Sequence, residues 1–126
     1  MTDEQRMVEE FHRTFDIAVG TIPAAPDEST RSLRIRLIQE EFDELKEALG
    51  QGTLAGVAKE LADLLYVVYG TAVSCGIDME PVFREVHRSN MTKVGGHKRP
   101  DGKWLKPAHY SPAALDPILT AQGSTG

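Results

Sequence analysis

Along the first ninety residues, apolar positions recur three and four apart rather than two apart, the periodicity of helices packed on one side. Met7, Val8, Phe11, Phe15, Ile17 and Ala18 form a rough stripe and predict a first helix from the N-terminus to Gly20. Thr21 to Ser29, with Pro23 and Pro26, reads as a loop, and Asp27, Ser29 and Thr30 offer an N-cap at its end. A second helix then runs to Leu49. Gly50 and Gly52 punctuate its end, Thr53 caps a third helix over Leu54 to Cys75, and Gly76 stops it. So short a connection makes the second and third helices antiparallel neighbours. Asp78, with Pro81 in the first turn, opens a fourth helix whose inward face is Val82, Phe83 and Val86, ending near Asn90. Beyond Thr92 the periodicity fails. Glycine and proline abound there, Pro100-Asp101-Gly102 reads as a turn, and Gln122 to Gly126 is expected to be disordered. The pattern predicts an all-α, four-helix-bundle-like fold in one domain, 1–126, with a helical core over about 3–91 and an irregular basic tail over 92–126.

Two helices break the amphipathic rule. On the second, Arg34, Glu41 and Glu44 fall inside the apolar arc of Leu33, Leu37, Ile38, Phe42, Leu45, Ala48 and Leu49, with Glu40 at its boundary. The third is apolar nearly all round, except for a narrow strip carrying Glu60 and Asp63, with Lys59, Gly70 and Ser74 nearby. Carboxylates are rarely buried without partners, so Glu41-x-x-Glu44 facing Glu60-x-x-Asp63 across an antiparallel pair implies a counter-charge. Arg34 reads as a structural partner of these acids.

Composition narrows the counter-charge. One cysteine, Cys75, excludes a disulfide framework and a cysteine-based zinc site, and suits a reducing, cytoplasmic setting. The acidic residues after Met1 resemble neither a signal nor a transit peptide, and the apolar run from Leu61 to Cys75 is too short to span a bilayer. A net charge of -5 opposes general nucleic-acid binding. His12, His87, His97 and His109 lack ligand spacing, and Glu85-Val86-His87 is not the Glu-x-x-His of di-iron bundles. Four converging carboxylates would raise one another's pKa values without a cation, and oxygen-only ligands select a hard metal, Mg2+ with Mn2+ as substitute. Tyr66 and Tyr69 read as core packing.

These residues resemble the all-α nucleoside triphosphate pyrophosphohydrolases, which include MazG, dimeric dUTPases and phosphoribosyl-ATP pyrophosphohydrolase. The signature, E-x-x-E followed by E-x-x-D, reads here as Glu40-Glu41-Phe42-Asp43-Glu44 and Lys59-Glu60-Leu61-Ala62-Asp63-Leu64-Leu65-Tyr66. Val86 to Lys93 and Asp101 to Pro107 look closest to the MazG-like branch with dUTPase-type activity. The resemblance implies cleavage between the α and β phosphates of a nucleoside triphosphate, dUTP or another pyrimidine deoxynucleotide first, in nucleotide-pool sanitation. It makes Glu41, Glu44, Glu60 and Asp63 the magnesium ligands and Glu40, beside Glu41, the candidate base. It assigns Asn90 to sugar or base, and Lys93, Lys103 and Lys106 to the β and γ phosphates as a closing lid beyond a flexible Gly95-Gly96. Phe11, Phe15 and Trp104 are candidate stacking surfaces for the nucleobase.

A third helix that is apolar on all sides needs more cover than one chain supplies, so a homodimer or dimer of dimers is expected. Within the same fold the alternative is a phosphoribosyl-ATP pyrophosphohydrolase. Outside it, the alternative is a non-catalytic, magnesium-dependent nucleotide-binding module.

Overall fold

The computed structural model describes residues 1–125, and the predicted all-α class is the observed one. The helices are α1 (Asp3–Thr14), α2 (Glu28–Gln51), α3 (Leu54–Cys75), α4 (Met79–Met91) and α5 (Asp116–Ala121). A two-residue-per-strand antiparallel hairpin, β1 (His97–Lys98) with β2 (Trp104–Leu105), turns at Pro100-Asp101-Gly102. Among these helices no single one is long and apolar enough to cross a membrane.

Side-chain caps set the boundaries. Thr2, Asp27, Thr53 and Asp78 each accept a hydrogen bond from a first-turn backbone N–H of α1, α2, α3 and α4 in turn. Gly76, at φ +69°, closes α3 in the left-handed conformation, with its N–H on Val73 and that of Ile77 on Ala72. A Cβ there would also collide with the Ile22 carbonyl, because the loop after α1 crosses this helix end. That crossing explains why α1 stops at Thr14 instead of reaching Gly20. The α3 carbonyls need donors, and the loop supplies them: Gly20 N–H to Val73 (2.9 Å) and Ala24 N–H to Cys75 (2.9 Å). Ser74 and His12 both donate to the Ala18 carbonyl, at 2.9 and 3.0 Å.

Helices α1 and α2 pack on α3, which is the centre of the bundle. Arg34, 5% exposed, ties α2 to α3 by donating to Thr71 Oγ1 (3.2 Å) and the Val67 carbonyl (2.9 Å). Among the described residues it pairs with no carboxylate, which corrects the expectation that it partners the acids. Gly70 leaves room for it, since a Cβ there would collide with the guanidinium. Burial holds both Arg34 and His12 below their usual pKa values.

Helix α4 leaves α3 at a bend of 114°. Gln5 on α1, 1% exposed, fixes that joint by donating to the Ile77 carbonyl (2.7 Å) and accepting from Met79 N–H (3.0 Å). The Met1 ammonium pairs with the half-buried Asp78 and Glu80 at the same corner.

The tail is less irregular than its composition suggests, because it runs back antiparallel along α4. The Ser89 hydroxyl donates to the Ser111 carbonyl (2.7 Å), and Ser111 N–H to Thr92 Oγ1 (2.8 Å). Glu85 accepts from Ala114 N–H and from both prongs of Arg88, and these hydrogen bonds, Arg88's first, pull its carboxyl down to about 2. Gln122 finishes the strap by accepting from Asp78 N–H (2.8 Å) and donating to the Asp78 carbonyl (3.0 Å). Gln122, Gly123 and Ser124 are hydrogen-bonded rather than the disordered end expected of them; Gly126 lies outside the described residues. Gly95-Gly96 forms a tight turn rather than a loose linker, since a Cβ on Gly96 would fall on the Leu105 carbonyl.

Truncating Gln5 to alanine leaves two backbone groups at the joint without partners, at about 1–3 kcal/mol for a buried group so exposed. Urea unfolding of Gln5→Ala should show a loss of that order, and an unchanged midpoint would refute the role of Gln5.

Candidate metal centre

The α2–α3 pairing brings the four acids together. Residue 44 meets residue 60 near the connecting turn, while residue 34 meets residues 67 and 71 further along, the signature of antiparallel helices. Glu41 and Glu44 are one turn apart on α2, and Glu60 and Asp63 one turn apart on α3, so each pair projects from one face. One oxygen from each of the four lies within 4.8 Å of all the others. Glu41 Oε2 and Glu60 Oε2 are buried without any hydrogen-bond partner. Two orphaned, buried carboxylate oxygens in such a group are what a hard divalent cation would satisfy, so the residues fit one.

The electrostatics agree. Burial first, then the charges of Glu44 and Asp63, push the Glu41 carboxyl above its usual range. Burial and a hydrogen bond from Glu44 push Glu60 up, while Lys59 pulls it back. Lys59 Nζ lies 2.7 Å from Asp63 Oδ2 and 3.7 Å from Glu60 Oε1, and among the described residues it is the only cation paired with any of the four.

Other residues singled out in the sequence lie elsewhere. Glu40 is exposed and outside the four-oxygen group. From Asp63 the chain travels about 18 Å to the end of α3 and turns by 114°, so the α4 end is on the order of 20 Å from the acids. Asn90 is exposed there. The Lys93 and Lys106 ammonium groups gather instead at the Tyr110 ring, 5.9 and 5.0 Å from its centroid, and Lys103 is exposed on the hairpin. No hydrogen bond or ion pair among the described residues joins these four to the acids. Trp104 donates its indole N–H to the Lys93 carbonyl (2.7 Å), which places it on the arm.

Two features are not apparent from helical phase alone. Lys59 reaches the ligand set through its i,i+4 spacing to Asp63, a signal present in the sequence but easily taken as mere proximity. Tyr66 is 40% exposed, not core, and meets Phe11 edge-on at 5.5 Å, with Phe15 4.6 Å from Phe11. One turn beyond Asp63, these rings form an open aromatic patch beside the acids.

The family description that matches the chain is phosphoribosyl-ATP pyrophosphohydrolase, over residues 8–90, spanning both acidic pairs. The chain belongs to that family. The match carries nothing for a dUTPase-type branch. An uncharacterized protein of Acanthamoeba polyphaga mimivirus is 35% identical over 77 residues, 58% of this chain. The chain spans 31% of that relative's length. The family match ends at Asn90, so the strap and hairpin lie beyond it.

The sign of the pH dependence follows from the raised carboxyls. Glu41 and Glu60 hold protons more tightly folded than unfolded, so stability without a divalent ion should fall as pH rises from the ordinary carboxylate value through their raised ones. With chelator at neutral pH, Glu41→Gln should therefore unfold at higher urea than the wild type. Manganese at that pH should raise the wild-type melting temperature and raise the variant's less. A variant destabilised in chelator would overturn the reading of Glu41.

Proposed function

We propose that the protein is a metal-dependent hydrolase of a nucleoside triphosphate-type substrate, cleaving between the α and β phosphates to give the monophosphate and pyrophosphate. The observation that carries this reading is the set of four carboxylate oxygens within 4.8 Å, two of those carboxylates bearing buried, unpartnered oxygens, in a chain of the pyrophosphohydrolase family. Glu41, Glu44, Glu60 and Asp63 would hold Mg2+, or Mn2+ in its place. When bound, such an ion neutralises phosphate oxygens and lowers the pKa of a coordinated water. Glu40, exposed and next to Glu41 in the sequence, would take the proton of the attacking water or orient it. In the balanced step an oxygen–phosphorus bond forms from water, the anhydride bond breaks, and pyrophosphate carries away the electron pair. The Phe11–Phe15–Tyr66 rings offer a planar base a stacking surface one turn from Asp63.

The family match supports phosphoribosyl-ATP as substrate. The dUTP reading rests on the segments from Val86 to Lys93 and from Asp101 to Pro107, which lie at or beyond the edge of that match. A panel of both compounds and the common deoxynucleoside triphosphates, with pyrophosphate detection, separates them; binding without release on any member would favour the non-catalytic module. On the best substrate, Asp63→Asn and Glu44→Gln should each lower kcat at least about 100-fold with helix content unchanged, the loss expected when electrostatic stabilisation goes. Wild-type rates in both would sink the ligand set.

A homodimer or dimer of dimers belongs to this proposal. The fully packed apolar core is only Val8, Leu45, Ala72 and Val73, while Leu65 on α3 is 58% and Phe83 on α4 is 70% exposed. Both line an apolar groove of about 380 Å³ between the diverging helices. A second copy filling that groove would cover both side chains. Light scattering should give at least twice the 13.9 kDa chain mass, and Phe83→Asp should shift it toward one chain. A wild-type monomer would overturn the association. A reducing, cytoplasmic setting suits the free Cys75.

A further inference from the structure

We propose that Lys59 is a built-in stand-in for the divalent ion: its ammonium occupies the edge of the acidic group until the ion arrives, then swings to the oxygens of the bound triphosphate. This inference rests on the reading of Glu41, Glu44, Glu60 and Asp63 as the ion's ligands. It concerns a residue that reading does not use.

Three observations carry it. The first is position. Lys59 Nζ lies 2.7 Å from Asp63 Oδ2 and 3.7 Å from Glu60 Oε1, so it engages carboxylates of the same four-oxygen group that an ion would occupy. The second is charge. Four carboxylates lie together and no other cation among the described residues pairs with them, so the one ammonium offsets only part of their repulsion. The third is freedom. The Lys59 side chain is 69% exposed at the mouth of the group, whereas that of Glu60 is 17% exposed. A pair of this i,i+4 kind, with the lysine on the N-terminal side, is the weaker orientation and yields readily to a doubly charged competitor.

Once an ion holds the Asp63 and Glu60 oxygens, the ammonium faces a like charge and loses its acceptor. The four-carbon stem, 69% exposed, is free to turn outward to the phosphates, which would bring new negative oxygens to the site. Lysine serves such contacts as a mobile point charge. Lys59 thus opposes the ion in the empty protein and supports the phosphates in the loaded one, which favours ion and nucleotide binding together over the ion alone.

Calorimetry on the full chain tests both halves without turnover. Manganese alone should bind Lys59→Met on the order of five-fold more tightly than the wild type, the expected effect of removing one nearby charge in a screened site. Lys46→Met, with the same change in net charge on the solvated side of α2, should leave manganese affinity unchanged. With manganese saturating, α,β-methylene-ATP should bind Lys59→Met on the order of five-fold more weakly, and Lys59→Arg should restore much of the loss. Equal manganese affinities for wild type and Lys59→Met overturn the stand-in, and equal analogue affinities overturn the phosphate contact. A wild type that binds no manganese overturns the ligand set itself, and this proposal with it, a result visible before any variant is made.

Discussion

Like-charge repulsion between two helices is the constraint around which this molecule is arranged. Helices α2 and α3 are the most extensively packed pair, yet their contact includes Glu41, Glu44, Glu60 and Asp63 with a single lysine in compensation. Such a seam costs stability unless something positive enters it, and packing elsewhere must hold the helices together meanwhile. Arg34 does part of that work from a different position. It crosses to α3 two turns away from the acids and binds neutral acceptors, so it clamps the pair without quenching the negative charge. A guanidinium placed among the acids would have made a stable ion-pair seam and left nothing for a cation to do.

The rest of the bundle follows from keeping that pair in register. Helix α1 covers one side of α3, and the loop behind it supplies N–H donors to the last carbonyls of α3. Among the described residues, Leu65 on α3 and Phe83 on α4 are left exposed by the bundle.

Much of this is legible in the residues. The bounds of α3 follow from Thr53 and Gly76, because a hydroxyl cap and a left-handed glycine are local signals that the tertiary structure has no reason to override. The acidic quartet is legible because carboxylates inside an apolar arc contradict the helical pattern. The end of α1 is not. Phe15, Ile17 and Ala18 continue the stripe, but the chain turns at Asp16 (φ +57°) to reach the end of α3, a demand arising far along the sequence. The partners of Arg34 are hidden for a related reason: helical phase says which way a side chain points, not whether an acid or a carbonyl waits there. The order of the tail is hidden because it comes from serine, threonine and glutamine bonds to α4 rather than from apolar periodicity.

Two uncharged amides set the heading of the α4 arm. Gln5 grips the short corner between α3 and α4 from one side, and Gln122 grips Asp78 from the other. Neutral hydrogen bonds are indifferent to ionic strength and to proton activity across the physiological span, unlike the nearby half-buried Met1 pair, which salt partly screens. The strapped helix therefore keeps its bearing whatever the charge state of the seam, a fixed landmark at the corner of the bundle.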